Sequence, residues 1–110
     1  MLKKINRISK RKEFGDLKEK GKMVLSSPFF GVVTEDKEDK LLKFGVIISK
    51  KISKRAVDRN KIKRRLMVVL SKKLDKFQSG LRVLFLVKKA ALEASVVDLE
   101  KEVDRLIPKL

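Results

Sequence analysis

The sequence predicts a single α+β domain, a small sandwich built in the order α-β-β-β-α-β-α. Three observations carry this. Apolar residues recur at helical spacing over Ile62, Leu66, Val69, Leu70, Leu74 and Phe77. Leu81 to Val87 is apolar on both faces, the pattern of a central strand covered on both sides. The chain has 110 residues, the length of one domain that can bury about two-thirds of its unfolded surface around one modest core.

The elements follow in order. Met1 to Lys12 carries six basic residues and no acid, and residues 1–8 read as an extended basic arm. Ser9 can cap a short helix running to about Lys20, with Phe14 and Leu17 inward and Gly21 as its stop. Met23 to Leu25 reads as a brief strand. Phe29 to Thr34 reads as a better one, entered through Pro28, which suits a strand start. Glu35 to Lys40 is a polar turn, and the flanking runs suggest a hairpin across it. It is also the acidic patch of the first half, expected to point away from a polyanion.

Leu42 to Ser49 is the next strand, and Lys54 to about Phe77 the main helix, with Ser53 as N-cap and Ser79-Gly80 as its end. Ser95 can cap a last helix, with Asp98 at the capping-box position and Pro108 closing it. Its apolar residues Leu92, Val96, Leu99, Val103 and Leu106 keep helical spacing. From Glu93 to Arg105 it carries five acids and two bases, so this face should turn from a polyanion or lie against the protein's own basic surface.

Composition excludes several function classes. With 43% hydrophobic and 40% charged residues, the chain is a folded protein with a very polar exterior. It has no Cys, hence no disulfide or thiolate chemistry, which is compatible with a reducing compartment. It has no His, the commonest general base and metal ligand. Most of its acids fit solvated helix faces, and the Glu35–Asp39 cluster lacks the Gly and terminal Glu of a calcium loop. No catalytic residue and no metal site are therefore expected on the protein. No apolar run exceeds five residues, the length of Val83 to Val87, which is too short to span a bilayer. No apolar signal segment follows the basic N-terminus, so cytoplasmic residence is expected.

Function concentrates in one stretch. From Lys50 to Arg65 there are nine Lys/Arg and one Asp, a net +8 in 16 residues, against 30 − 14 = +16 for the whole chain. Charge this dense opposes folding unless a polyanion screens it. The stretch follows an apolar, β-prone run and opens the main helix. Cations in a helix's first turns oppose the helix dipole, and a phosphate bound at the exposed N–H groups would offset that cost. On an ideal wheel Arg59 falls near the stripe of Ile62 and Leu66, so the first turn must overhang the core or bury Arg59 unpaired. Lys61, Arg64 and Arg65 lie off the stripe.

At these residues the sequence resembles the protein subunit of bacterial ribonuclease P. The family pattern is close to S-K-K-x-(G/S)-K-x-A-V-x-R-N-(R/K)-I-K-R, between a strand and a helix. It is matched here by Ser49, Lys50, Lys51, Ser53, Lys54, Ala56, Val57, Arg59, Asn60, Lys61, Ile62, Lys63 and Arg64. Many members carry another Arg where this chain has Met67, a charge that Arg65 could supply from nearby. The resemblance implies a mixed sheet of about four strands with a left-handed βαβ crossover, as in the second domain of ribosomal protein S5. Here the crossover would run from Leu42 to Val87.

It also implies a division of labour. The RNA subunit is the catalyst, with Mg²⁺ held mainly on RNA. The protein binds that RNA and the 5′ leader of precursor tRNA, assisting the endonucleolytic removal of the leader, and needs no protein partner and no membrane. The RNA-contacting residues are then Lys50, Lys51, Lys54, Arg55, Arg59, Asn60, Lys61, Lys63, Arg64 and Arg65. The cleft between first helix and sheet would take the leader through Phe14, Arg11 and Phe29. Phe29 is favoured over Phe30 because adjacent strand residues face opposite ways; Phe44, Phe77 and Phe85 fit the core pattern. Relatives with an aromatic later on that strand are matched here by aliphatics such as Val32. The competing readings are a structural ribosomal RNA binder, which would not need the Arg59-Asn60 pattern, and a membrane-surface protein, whose free apolar helix face is missing.

Overall fold

The computed structural model describes residues 3–8, 11–37 and 39–110. Its elements are α1 (Arg11–Lys20), β1 (Lys22–Ser26), β2 (Phe30–Asp36), β3 (Lys43–Ile47), α2 (Ala56–Lys72), β4 (Leu81–Val87) and α3 (Val96–Leu106). The order is the expected one. The strands lie β1-β2-β4-β3. β1 and β2 are antiparallel, as are β2 and β4, while β3 and β4 are parallel, so the sheet is mixed and α2 lies in the crossover.

β4 is central, as its two-faced apolar sequence requires. Val83 and Phe85 join Val32 and Phe44 in the main core under α2 and α3, where Leu66, Val69, Leu70, Leu99 and Val103 pack. Leu84 points the other way and joins Leu17 of α1, Ile8 and Val33. Phe30–Phe85 and Phe44–Phe77 meet edge to face, with centroids 5.1 and 4.9 Å apart, the arrangement that ring quadrupoles favour.

Several expectations are corrected. β2 and β3 do not form a hairpin, because β4 inserts between them. A local signal of two β-prone runs around a polar turn cannot see a strand arriving from 40 residues on. The turn is instead pinned to the α2–β4 connection: Lys37 N–H donates to the Gly80 carbonyl. Gly80 has φ +84°, and a Cβ there would lie 2.7 Å from the carbonyl oxygens of Lys37 and Asp39, so both conformation and space call for glycine. Asp39, itself exposed, takes two hydrogen bonds from Arg82 at 2.6 and 3.1 Å, and Arg82 also donates to the Leu41 carbonyl. Arg82 is buried. Its hydrogen bonds, above all, hold the Asp39 carboxyl below the usual carboxylate range.

The N-terminal segment is not a free arm. Lys4–Asn6 form a 3-10 turn, Arg7 bridges Phe44 in parallel fashion, and Ile8 N–H donates to the Phe44 carbonyl. Asn6 Nδ2 donates to the Leu42 carbonyl at 2.8 Å. The unpaired edge of β3 offers these partners, and Ile8 is buried there. Ser9, the expected cap of α1, lies outside the described residues. Gly21 ends α1 without a positive φ. Its role is space, since a Cβ would sit 2.3 Å from the Leu17 carbonyl oxygen.

α2 starts later and ends earlier than expected. Its N-cap is Arg55 and not Ser53, and Leu74–Lys76 form a separate 3-10 turn before Phe77. Leu92 lies in a 3-10 helix, Lys89–Glu93, ahead of α3. The Ser95–Asp98 capping box is present in both directions, each bond 3.1 Å. The acidic face of α3 meets the protein's own basic surface: the buried Lys73 ammonium reaches Asp104 at 2.5 Å and Glu100 at 3.6 Å. The bond to Asp104, first among the causes, pushes the Lys73 pKa up. Among the described residues no helix is long and apolar enough to cross a membrane.

Candidate nucleic-acid interface

Between the end of β3 and the start of α2, residues 48–55 belong to neither strand nor helix. This segment and the first turns of α2 carry the basic stretch. Lys50, Lys51, Lys54, Arg55, Asn60, Lys61, Lys63 and Arg64 are all exposed. The side chains of the lysines, Asn60 and Arg64 have no hydrogen-bonded or ionic partner among the described residues; the Arg55 side chain has only a 3.9 Å contact to Asp58.

Two of the predicted residues differ. Arg59 is half-buried, and its Nη1 donates to the Ser53 carbonyl at 2.7 Å. The wheel conflict is resolved this way: the guanidinium finds a backbone acceptor at the foot of the helix instead of lying unpaired on the core. Arg65 is also half-buried and donates to the Ala94 carbonyl at 2.9 Å. Met67 itself is core, 3% exposed.

The sheet face under α1 is only partly covered, because α1 has ten residues. Phe14 is half-buried against the cluster of Ile8, Leu17, Val33 and Leu84, with Ile47 and Leu86 alongside. Gly45 makes room for its ring: a Cβ there would be 2.7 Å from Phe14 Cε1. Beyond the ring the face continues as Leu86, Gly31 and Met23, and Met23 is 54% exposed. Arg11, on the first turn of α1, is exposed.

Phe29 is not part of this face. It precedes β2, so strand alternation does not govern it, and it packs on the opposite side against the main core and the cluster of Ile62, Val87 and Ala91. Val32 is also core; the β2 positions on the α1 side are Gly31 and Val33. Sequence reading missed Lys4 and Arg7. Docking on β3 brings them beside Phe14, where with Ile8 and Lys63 of α2 they line an open pocket of about 380 Å³. The pocket thus joins the Phe14 face to the basic face of α2. No local signal marks this, since the pairing of residues 6–8 with residues 42–44 is nonlocal.

The described residues contain no group of three or more acidic side chains that could hold a metal ion. The donor set on both surfaces is cationic and suits phosphate oxygens.

Comparison with known proteins identifies the family. Residues 2–110 match the family model described as Ribonuclease P. The chain is 30% identical to the ribonuclease P protein component of Microcystis aeruginosa over 98% of this chain and 92% of the relative. It is 32% identical to that of Desulfosudis oleivorans over 98% and 88%. Among solved structures, the RNase P protein of Staphylococcus aureus superposes with a TM-score of 0.83 at 23% identity, covering 96% of this chain and 94% of that one. The Thermotoga maritima protein gives 0.83 at 18% identity, covering 94% and 96%. These structural likenesses carry the fold.

Proposed function

Since the chain belongs to the ribonuclease P protein family, and so works in tRNA processing with ribonuclease P RNA, we propose how its two surfaces divide the work. The loop between β3 and α2, with the exposed side of α2, binds the catalytic RNA. The face bearing Phe14 takes the single-stranded 5′ leader of precursor tRNA. Phe14 and the apolar floor of Leu86, Ile47 and Met23 accept bases, and Arg11, Lys4 and Arg7 accept phosphates. With one aromatic on that face, stacking contributes less than cation–phosphate contact.

Hydrolysis itself is placed on the RNA subunit. The protein supplies no histidine and, among the described residues, no carboxylate cluster for a divalent ion. Mg²⁺ is placed with the RNA, and no step is assigned to it on the protein. The protein's part is to bring substrate and RNA together and neutralise their mutual repulsion. Work on tRNA precursors places the protein in the cytoplasm.

The observation that carries this reading is the pocket of Lys4, Arg7, Phe14 and Lys63, which makes the two surfaces continuous. Reconstitution tests it. At low Mg²⁺, ribonuclease P RNA should cleave precursor tRNA only when the protein is added, and the protein purified free of RNA should cleave nothing. Cleavage by the protein alone, abolished by replacing one of its acids, would overturn the assignment of chemistry to the RNA.

A further inference from the structure

We propose that Ser53, Asp58 and Arg59 form a clamp that positions the loop cations for RNA, and that Asp58 therefore strengthens RNA binding despite its negative charge. This rests on the reading of the loop as an RNA surface.

The loop that presents Lys50, Lys51 and Lys54 has no ladder to hold it, and its cations repel one another. What holds it is a set of bonds centred on Ser53. The Ser53 hydroxyl accepts from Arg55 N–H at 3.2 Å and donates to Asp58 Oδ2 at 3.2 Å. The Ser53 carbonyl accepts from Arg59 Nη1 at 2.7 Å. A single turn, Ile52 N–H to the Ser49 carbonyl, precedes them. Arg55, the N-cap, makes no side-chain cap bond of its own. Asp58, the third residue of α2, thus reaches back past the N-cap to Ser53 and ties loop to helix. Ser53, Asp58 and Arg59 are half-buried, whereas the cations they flank are exposed. Without the clamp, binding RNA would have to order the loop at the moment of contact.

Two expectations then oppose each other. Counting charge, removal of Asp58 raises the net from +16 to +17 and should tighten binding to any polyanion. As a positioning residue, Asp58 should weaken binding when removed. Affinity for ribonuclease P RNA, measured against KCl concentration, separates them. Asp58→Ala and Ser53→Ala should each bind about fivefold more weakly, the worth of one net hydrogen bond. Their salt slopes should be shallower by about one, because fewer lysines engage phosphates. Asp58→Asn keeps an acceptor for the Ser53 hydroxyl and should restore the wild-type slope. The double variant should bind no worse than either single one, since both break one unit.

Tighter binding by Asp58→Ala, or weaker binding with an unchanged slope and a lowered melting temperature, overturns the clamp. The premise has its own control: Lys50→Ala with Lys54→Ala must weaken binding and flatten the slope. If those lysines are inert, the RNA surface lies elsewhere and the clamp falls with it. If they matter while Asp58→Ala binds tighter, only the clamp fails.

Discussion

Single residues show where the fold conflicts with burial rules and where it yields to them. Glu102 is buried, 6% exposed, on the inner side of α3. Its Oε1 has no hydrogen bond among the described residues, and its nearest cation, Arg105 Nη1, is 3.4 Å away and mostly exposed. A buried carboxylate so poorly partnered costs stability, and an apolar side chain of like volume is often better. Glu102→Met should therefore stabilise the fold by about 1 kcal/mol, seen as a raised urea midpoint; a lowered midpoint would mean that the carboxylate has an unseen partner. Gly45 shows the opposite constraint. Gly45→Ala would drive a methyl into Phe14, Leu84 and Ile8, which would lie 2.7, 3.2 and 3.3 Å away. Overpacking of this kind costs about 1–3 kcal/mol, and here it should also lift the Phe14 ring from the sheet. An unchanged denaturation midpoint would show that α1 is loosely seated.

Elements were legible in the sequence where one local signal fixed them. β4 runs from Leu81 to Val87 as its apolar run implied, and the Ser95–Asp98 box starts α3. The polar turn at residues 35–40 misled, because its outcome depends on β4 entering between β2 and β3. The candidate site divided in the same way. The cations of the basic stretch were found from charge alone, whereas Lys4, Arg7 and the true side of Phe29 depend on nonlocal packing. Arg59, named among the RNA-contacting residues, stood in conflict with the apolar stripe, and the structure resolves that conflict with a backbone acceptor outside the helix. The Asp39–Arg82 pair makes one of these nonlocal links testable. Its carboxyl is held below the ordinary value of 3.8, chiefly by the Arg82 hydrogen bonds. A depressed carboxylate contributes stability above its unfolded pKa and loses it as pH falls through the folded one. The stability difference between wild type and Asp39→Asn should thus be constant near neutrality and shrink below about pH 4. Urea midpoints taken from pH 7 to pH 2.5 would show it; a difference that does not depend on pH would dissociate Asp39 from Arg82.

At the scale of the whole molecule, charge is segregated. Acids of α3 are drawn onto Lys73 and Asp39 onto Arg82, which leaves the loop, the basic side of α2 and the N-terminal turn to face a polyanion. If about six phosphates are neutralised on binding, log K should fall against log salt with a slope of roughly −4 to −5. A slope near zero would remove the basic stretch from the interface.

The two surfaces can be told apart by one measurement: the affinity of the reconstituted holoenzyme for precursor tRNA as a function of leader length. If their side chains face the catalytic RNA, Asn60→Ala with Arg64→Ala should weaken the holoenzyme by the same factor for every leader, even the shortest. Phe14→Ala should weaken only precursors whose leader is long enough to reach the face under α1, by the roughly 1–3 kcal/mol of a lost base contact. Phe14 is half-buried, so its own melting temperature should fall by less than that of a fully buried Phe, whose loss costs about 3–5 kcal/mol. A Phe14→Ala defect independent of leader length, with a sharp drop in melting temperature, would return Phe14 to the core and leave the leader without a binding face on this protein.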